Sequence, residues 1–464
     1  MILNNVALTL FGFLAIIIFL MLFIAKFKWH VFFAMLLPVI CFALIPGVDM
    51  AKFIEAFETG FGKTLQSIGV VIVLGSIMAE ALKHTGAIET ITKSMVKFVG
   101  KKRMPLALTL SGFVLGIAVF SDIAYVILNP LVHSAAAVMD VSMSTMATGL
   151  VGSLQLTHAI VPPTPGPLAA AALLHADIGK LILWGSVVCF TGSIAAWIWG
   201  QYVVGPRIVS PPSTEFMGNS FLDDEVSATL ETGTNVKVQS RIKPPSALRS
   251  YAPILVPVAL IATQSIISLA LPKDNFLQPI FAFLGWPVVA IAIGVLLSYS
   301  NITDKDQKID AKNKWVEDGL RTSAMILVVT GLGGSLSAIL KGTPAVDAIT
   351  TWVATTGMSP ILLPFIIGVI GNMITGSTTV GCITAASLVA PMIGQLGLSP
   401  EAAMLAGASG SVIIKYVNSS YFWVVTSLSK MSLKGALISF GGATFVGGIV
   451  SFATTWALWA AGII

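Results

Sequence analysis

The sequence predicts an all-α polytopic membrane protein. It would consist of two inverted repeats, each with five transmembrane helices and one re-entrant hairpin. Three observations predict it: an apolar composition, an uneven placement of basic residues, and a weak internal repetition. Of 464 residues, 56% are hydrophobic and only 10% charged, and the mean hydropathy is +0.91. A soluble domain carries about 25% charged residues. So few charges cannot cover a water-facing surface, so the apolar segments must lie in a bilayer as helices. Continuous rather than alternating apolar runs argue against a β-barrel.

The net charge of +5 and the pI near 9.0 do not call for nucleic acid, because basic residues gather in the cytoplasmic loops of membrane proteins. Cys41, Cys189 and Cys382 lie scattered in apolar segments, with neither a disulfide framework nor metal-site spacing. The N-terminus has no basic region before its apolar run and no small-residue cleavage pattern. It reads as a retained helix.

Spans are expected at 6–25, 31–47, 64–82, 145–172 and 180–204 in the first half. In the second they fall at 251–271, 277–298, 322–341, 401–428 and 435–462. Two apolar regions remain, 104–138 and 359–396. Each is too long for one span and carries polar residues or glycine in its middle. A re-entrant hairpin fits, with two short helices joined by a polar tip.

The basic residues test this count. With five spans and one hairpin per half, both termini are external. Twenty Lys and Arg then fall on the cytoplasmic side, five fall outside, and Lys415 alone is left within a span. Reading either leftover region as one ordinary span reverses the orientation beyond it and spoils the split. The expected location is a bacterial inner membrane. Residues 206–250, polar and bearing prolines, read as a cytoplasmic linker between repeat 1 (1–205) and repeat 2 (251–464).

The halves repeat each other faintly. A shift of 258 positions lays Thr64–Ile91 on Thr322–Ile349 with 11 of 28 positions identical, Gly75 with Gly333 and Lys83 with Lys341 among them. The same shift pairs Met146, Gly149, Gly152 and Ser153 with Met404, Gly407, Gly410 and Ser411. Five spans is an odd number, so the second copy must sit upside down. Inverted repeats with interrupted helices mark secondary transporters.

Three stretches carry a resemblance: GFVLGIAVFSDIAYVILNPLV (112–132), HAIVPPTPGP (158–167) and YVNSSYFWVV (416–425). They resemble the gluconate permease family of proton symporters, over nearly the whole chain except the linker. That family belongs to an ion-transporter superfamily. The resemblance implies inverted five-helix repeats, an elevator motion, scaffold contacts between protomers of a homo-oligomer, and uptake of gluconate or a related small hydroxy or amino acid with a proton. The chain departs from the family pattern where substrate should bind. The family's proline stretch has a second histidine where Thr164 stands, and its later motif has an acid at Ser419 and a glycine at Tyr421. The transport class survives these changes; the identity of the carboxylate is left open.

The proline stretch lies in a run from Val141 to Ala176 without Asp, Glu, Lys or Arg. Pro162, Pro163, Pro165 and Pro167, with Gly166 among them, remove four backbone donors and break the helix. In lipid each unsatisfied group costs several kcal/mol. Such a break belongs beside a hydrated cavity, where freed carbonyls and amides bind a polar substrate and a helix N-terminus favours an anion. The bland alternative is a packed proline kink. His158 and Thr164 flank the break; His158 can equally serve a helix–helix contact. The corresponding stretch of the second half offers Asn418, Ser419 and Ser420 as hydrogen-bonding groups, or as ordinary helix glue.

The second hairpin tip, GNMITGSTTVG (371–381), offers Gly376, Ser377, Thr378 and Thr379 as an anion nest. The first tip offers Ser121 and Asp122. An intramembrane carboxylate is costly, so Asp122 is the candidate proton carrier. Glu80 is its rival, expected to reach water near a helix end. Lys415 lies one helical turn before Asn418 and would pair with a substrate carboxylate or with Asp122.

No phosphate loop and no clustered Cys/His set point to a nucleotide or metal, so no cofactor and no catalytic residue are expected. The expected partners are a small carboxylate substrate, a coupling proton and the lipid bilayer. Sodium coupling, with oxygens and Asp122 as ligands, is the main alternative; an anion channel or an intramembrane enzyme is weaker.

Overall fold

The computed structural model describes all residues except 1, 4, 6, 10, 13, 14, 17, 20–26, 28, 213–243, 273, 274, 304, 342, 417 and 418. Much of the expected first span and most of the expected linker therefore lie outside the described residues, as does Asn418. The described residues form helices and turns, with no strand among them.

The chain runs through α1 (Val31–Phe42), α2 (Met50–His84), α3 (Ala87–Val99), α4 (Met104–Leu115), α5 (Ser121–Val138), α6 (Met143–Ile160), α7 (Pro165–Leu174) and α8 (Ile178–Val204). It continues with α9 (Ala247–Ala270), α10 (Leu277–Leu284), α11 (Pro287–Ser300), α12 (Lys305–Lys312), α13 (Lys314–Lys341), α14 (Ala345–Thr356), α15 (Leu362–Thr375), α16 (Thr378–Val389), α17 (Pro400–Gly410), α18 (Ser420–Leu428) and α19 (Leu433–Ala460). One order of elements occurs twice. A long helix, a short helix, a two-armed region, a broken helix and a second long helix occupy 50–204 and again 314–460.

Six described helices are long and apolar enough to cross a membrane, or seven if α10 and α11, bent by 60°, count as one. Ten spans were expected. The expected spans 145–172 and 401–428 are each broken, α1 is short, and 6–25 lies largely outside the described residues, while α5, one of the six, falls in a region expected to be re-entrant. The expected span 277–298 bends at Gly285–Trp286, just before Pro287, which cannot continue a hydrogen-bonded helix.

α2 begins well before the expected residue 64. Lys52, Glu55, Glu58 and Lys63 hide its start from an apolar reading. Asp49 caps it, accepting from the Lys52 N–H at 3.2 Å. At 1.5 Å per residue its 35 residues reach about 50 Å, well beyond the ~30 Å hydrocarbon core.

α2 and α13 run antiparallel in close contact, Gly60 facing Gly334 and Ile77 facing Gly319. α8 and α19 are likewise antiparallel: Thr191 Oγ1 lies 2.9 Å from Thr454 Oγ1, and Trp199 Nε1 donates to Ile438 O at 2.7 Å. In both pairs, helices at the same place in the two halves point in opposite directions.

The two-armed regions differ. α15 and α16 pack along one another, with Gly371 against Gly381. The arms of 104–138 splay apart. α4 packs on α6 through Gly112 and Leu150, and α5 reaches across to α18. There Tyr125 Oη meets Ser429 Oγ at 2.5 Å and His133 Nε2 meets Leu428 O at 2.8 Å. α5 alone is also long and apolar enough for a span.

The α2–α13 crossing is the tightest test of this packing. A methyl group on Gly334 would strike the Gly60 carbonyl and the Thr64 hydroxyl. Gly334→Ala should therefore lower thermal stability, by about 1–3 kcal/mol for overpacking. Gly62→Ala, with open space around it, should leave melting unchanged or slightly raised. Melting of the two purified variants in detergent checks the contrast.

Candidate functional site

The first break spans Val161 to Thr164. A helix through this point would use the amides of residues 162, 163, 165 and 167 to serve the carbonyls of 158, 159, 161 and 163; four prolines remove all of those donors. Part of the deficit is met locally. The Thr164 hydroxyl lies 2.9 Å from His158 O and 2.7 Å from Val161 O, and its one proton serves one of them at a time.

The same prolines strip the start of α7. Pro165 and Pro167 hold its first and third positions without N–H groups, and the Leu168 N–H is used by Thr164 O at 3.1 Å. Gly166 alone keeps a free-end amide there. The expectation that this terminus would favour an anion through its amides is corrected: the break is rich in acceptors and poor in donors.

The tip between α15 and α16 has the opposite character. Gly376 turns the chain with φ 71°, a left-handed conformation that suits glycine. Ser377 caps α16, accepting from the Val380 N–H at 3.3 Å. The amides of Thr378 and Thr379 open the helix, at the positive end of its dipole. A Cβ on Gly166 would sit 3.2 Å from Thr379 Oγ1, so the first break and this tip touch. Gln155 Nε2 donates to Thr378 Oγ1 at 3.2 Å and ties the tip to α6.

Lys415 lies in the second break, described from Ser411 to Tyr416, and not within a helix. It is 4% exposed. Its Nζ donates to Asn372 Oδ1 and to Gly376 O, each at 2.8 Å. It does not pair with Asp122; both bonds go to the hairpin. Ser419 is buried, whereas Ser420 opens α18 at an exposed position.

Asp122 occupies the first turn of α5, half-buried, its Oδ1 accepting from the Ile123 N–H at 2.9 Å. Ser121 Oγ donates to Leu154 O at 3.2 Å, so this region leans on α6 just before the break. His158 is buried, its ring 5.2 Å from that of Phe120, and its Nδ1 has no hydrogen-bond partner. Asp122 and Lys415 both lie within electrostatic reach of it. Glu80 does not reach water: it is 5% exposed and pairs with Lys83 Nζ at 3.0 Å.

Two cavities adjoin these groups. One of about 10 Å³, close to the least that holds a water, is lined by Gly75, Phe120, His158, Pro163, Thr164 and neighbours. The other, about 360 Å³, lies between α13 and the tip and is lined by Met325, Val329, Thr375, Ser377, Thr379 and neighbours. That volume suits a small organic ligand.

The GntP family permease model matches residues 8–461. The chain belongs to the GntP permease family. It is 33% identical over 425 residues to an uncharacterized permease of Haemophilus influenzae, covering 90% of this chain and 85% of that one. It is 30% identical to the high-affinity gluconate transporter of Escherichia coli, covering 90% and 91%. It is 29% identical to the D-serine transporter DsdX of Escherichia coli, covering 95% and 96%. The fold also matches the solved YdaH transporter of Alcanivorax borkumensis, with a TM-score of 0.57, 15% identity and 88% of each chain covered. This GntP permease is thus a multi-pass membrane transporter and not an enzyme.

Sequence reasoning missed two residues of the permease site. Gln155 sits one helical turn before His158 in the uncharged run, a spacing that placed both on one face of α6. Asn372 lay within the quoted tip motif, but nothing in the motif joined it to Lys415.

Thr164 gives a test of the first break. Thr164→Val keeps the shape and deletes the hydroxyl, leaving buried carbonyls unserved at about 1–3 kcal/mol. Thr164→Ser should melt close to wild type, and Thr164→Val clearly below it, in the same detergent assay.

Proposed function

We propose that this permease is a proton symporter that brings a small hydroxy or amino carboxylate, gluconate or a related acid, into the cell. The observation that carries this reading is the opposed chemistry of two touching elements. Donors gather at the tip: the Thr378 and Thr379 amides at the start of α16, with the Lys415 ammonium nearby. Acceptors gather at the first break, where prolines leave carbonyls short of partners. A carboxylate suits the first set. A hydroxyl or ammonium group on the same small molecule suits the second. Relatives named for gluconate, D-serine and L-idonate transport support this substrate class.

Charge balance supports proton coupling. Asp122 and Lys415 both lie within electrostatic reach of His158, so with both ionised the empty site is neutral. A bound monocarboxylate adds one negative charge at low dielectric, which is costly to move across lipid. One proton on Asp122 restores neutrality, and His158, with its unpartnered nitrogen, stands where it can relay that proton. The loaded carrier then moves no net charge. Each uncompensated charge would add about 2.3 kcal/mol per 100 mV.

The antiparallel pairing of α2 with α13 and of α8 with α19 supports two inverted repeats, 1–205 and 251–464. The split of basic residues supports a cytoplasmic linker and external termini in an inner membrane. The regions 104–138 and 359–396 are then re-entrant, and an elevator motion carries the site across.

Counterflow of labelled gluconate and D-serine in proteoliposomes tests the transport reading; no counterflow with either, or a channel-like current, would sink it. Asp122→Asn should reduce proton-driven uptake by about tenfold or more, ~1.4 kcal/mol, while sparing exchange. Unchanged pH dependence would remove Asp122 from the coupling step. For topology, Lys102→Cys and Asp140→Cys, both at exposed positions, should react with an impermeant maleimide from the same side of the membrane in a Cys41→Ser background. Reaction from opposite sides would mean that 104–138 crosses completely.

A further inference from the structure

We propose that Lys415 is a tethered cation that closes the α15–α16 tip, in the position where half-helix carbonyls would otherwise coordinate a coupling sodium ion. The inference rests on the transporter reading above and concerns what the site has in place of a second ion.

The geometry is specific. Gly376 ends α15, and its carbonyl lies at the negative end of that helix's dipole. Asn372, one turn earlier, turns its Oδ1 the same way. Lys415 Nζ takes both oxygens at 2.8 Å. Asn372 is held in that orientation because its Nδ2 donates to Ile414 O at 2.7 Å, and Tyr416 Oη donates to Met373 O at 2.9 Å alongside. The second break is therefore stapled to the end of α15 from both sides of the lysine. Among the described residues no carboxylate is ion-paired with Lys415.

A buried cation held by a carbonyl and an amide oxygen, and not by an acid, has the environment of a bound alkali ion. In secondary transporters with interrupted helices, unwound carbonyls and half-helix C-termini are where sodium binds. Here the chain supplies the charge itself. The ammonium also leaves one of its three donors for an anion at the neighbouring α16 terminus, so closing the tip and neutralising the substrate fall to one group. Wild-type transport then needs no sodium.

The test uses the purified full-length protein and sodium alone as probe. Wild type and Lys415→Ala are melted in about 0.1 M NaCl and in the same concentration of choline chloride, since an ion that binds only the folded state raises its melting point. Wild type should melt alike in both salts. Lys415→Ala should melt lower in choline and regain about half of the loss in sodium, because the vacated oxygens then accept the ion. Lys415→Gln, a shorter neutral side chain whose amide oxygen can itself face a sodium ion, replaces it if the alanine variant cannot be purified, with the same direction expected. Sodium-stabilised wild type overturns the inference, as does a variant indifferent to sodium. Uptake by wild type in sodium-free buffer gives a second readout; a sodium requirement there also overturns it. Absence of counterflow with any small acid would count against the transporter reading and leave the melting comparison standing.

Discussion

Inside a bilayer no water is present to take up an unpaired amide or carbonyl, so every backbone group must find its partner within the protein. This permease departs from that rule in a few places, and those places make up its candidate site. Four prolines within 162–167 delete donors, Ser411–Tyr416 is unwound, and Gly376 turns the chain between two half-helices. The rest of the fold shields these interruptions. Long antiparallel helices close around them, and tight glycine contacts let backbones approach where side chains would hold them apart.

The interruptions are met by side chains, one of them local and others from distant helices. Thr164 serves carbonyls in its own turn, while Asn372 and Lys415 join the second break to the end of α15. Gln155 links α6 to the start of α16. The two halves therefore repeat in outline and differ in chemistry. One break presents acceptors because proline has no N–H. The other is filled by a cation.

The arms that frame the site differ in a related way. α15 and α16 lie together, so their tip is a compact unit anchored by Lys415. α4 and α5 separate, and α5 packs on α6 and also on α18, to which Tyr125, Ser429 and His133 bind it. Asp122 thus rides on an element coupled to the second broken helix, and Lys415 joins that helix's break to the other hairpin. The two charged groups within electrostatic reach of His158 thus belong to different supports.

Composition alone determined that this chain lives in a membrane, because so few charges cannot solvate its surface, and the helix breaks were legible because proline and glycine act through local backbone geometry. Asp122, His158 and the 376–379 tip stand out in the sequence as candidates, since a polar residue in an apolar run is costly. What only the tertiary structure decided was pairing. Lys415 was read as a helical neighbour of Asn418 and became instead the partner of Asn372 and Gly376, some forty residues away. The burial of Glu80, the splaying of α4 from α5 and the part played by Gln155 were hidden for the same reason. Local chemistry says where a helix must fail, but which distant group then answers the failure depends on how the helices pack.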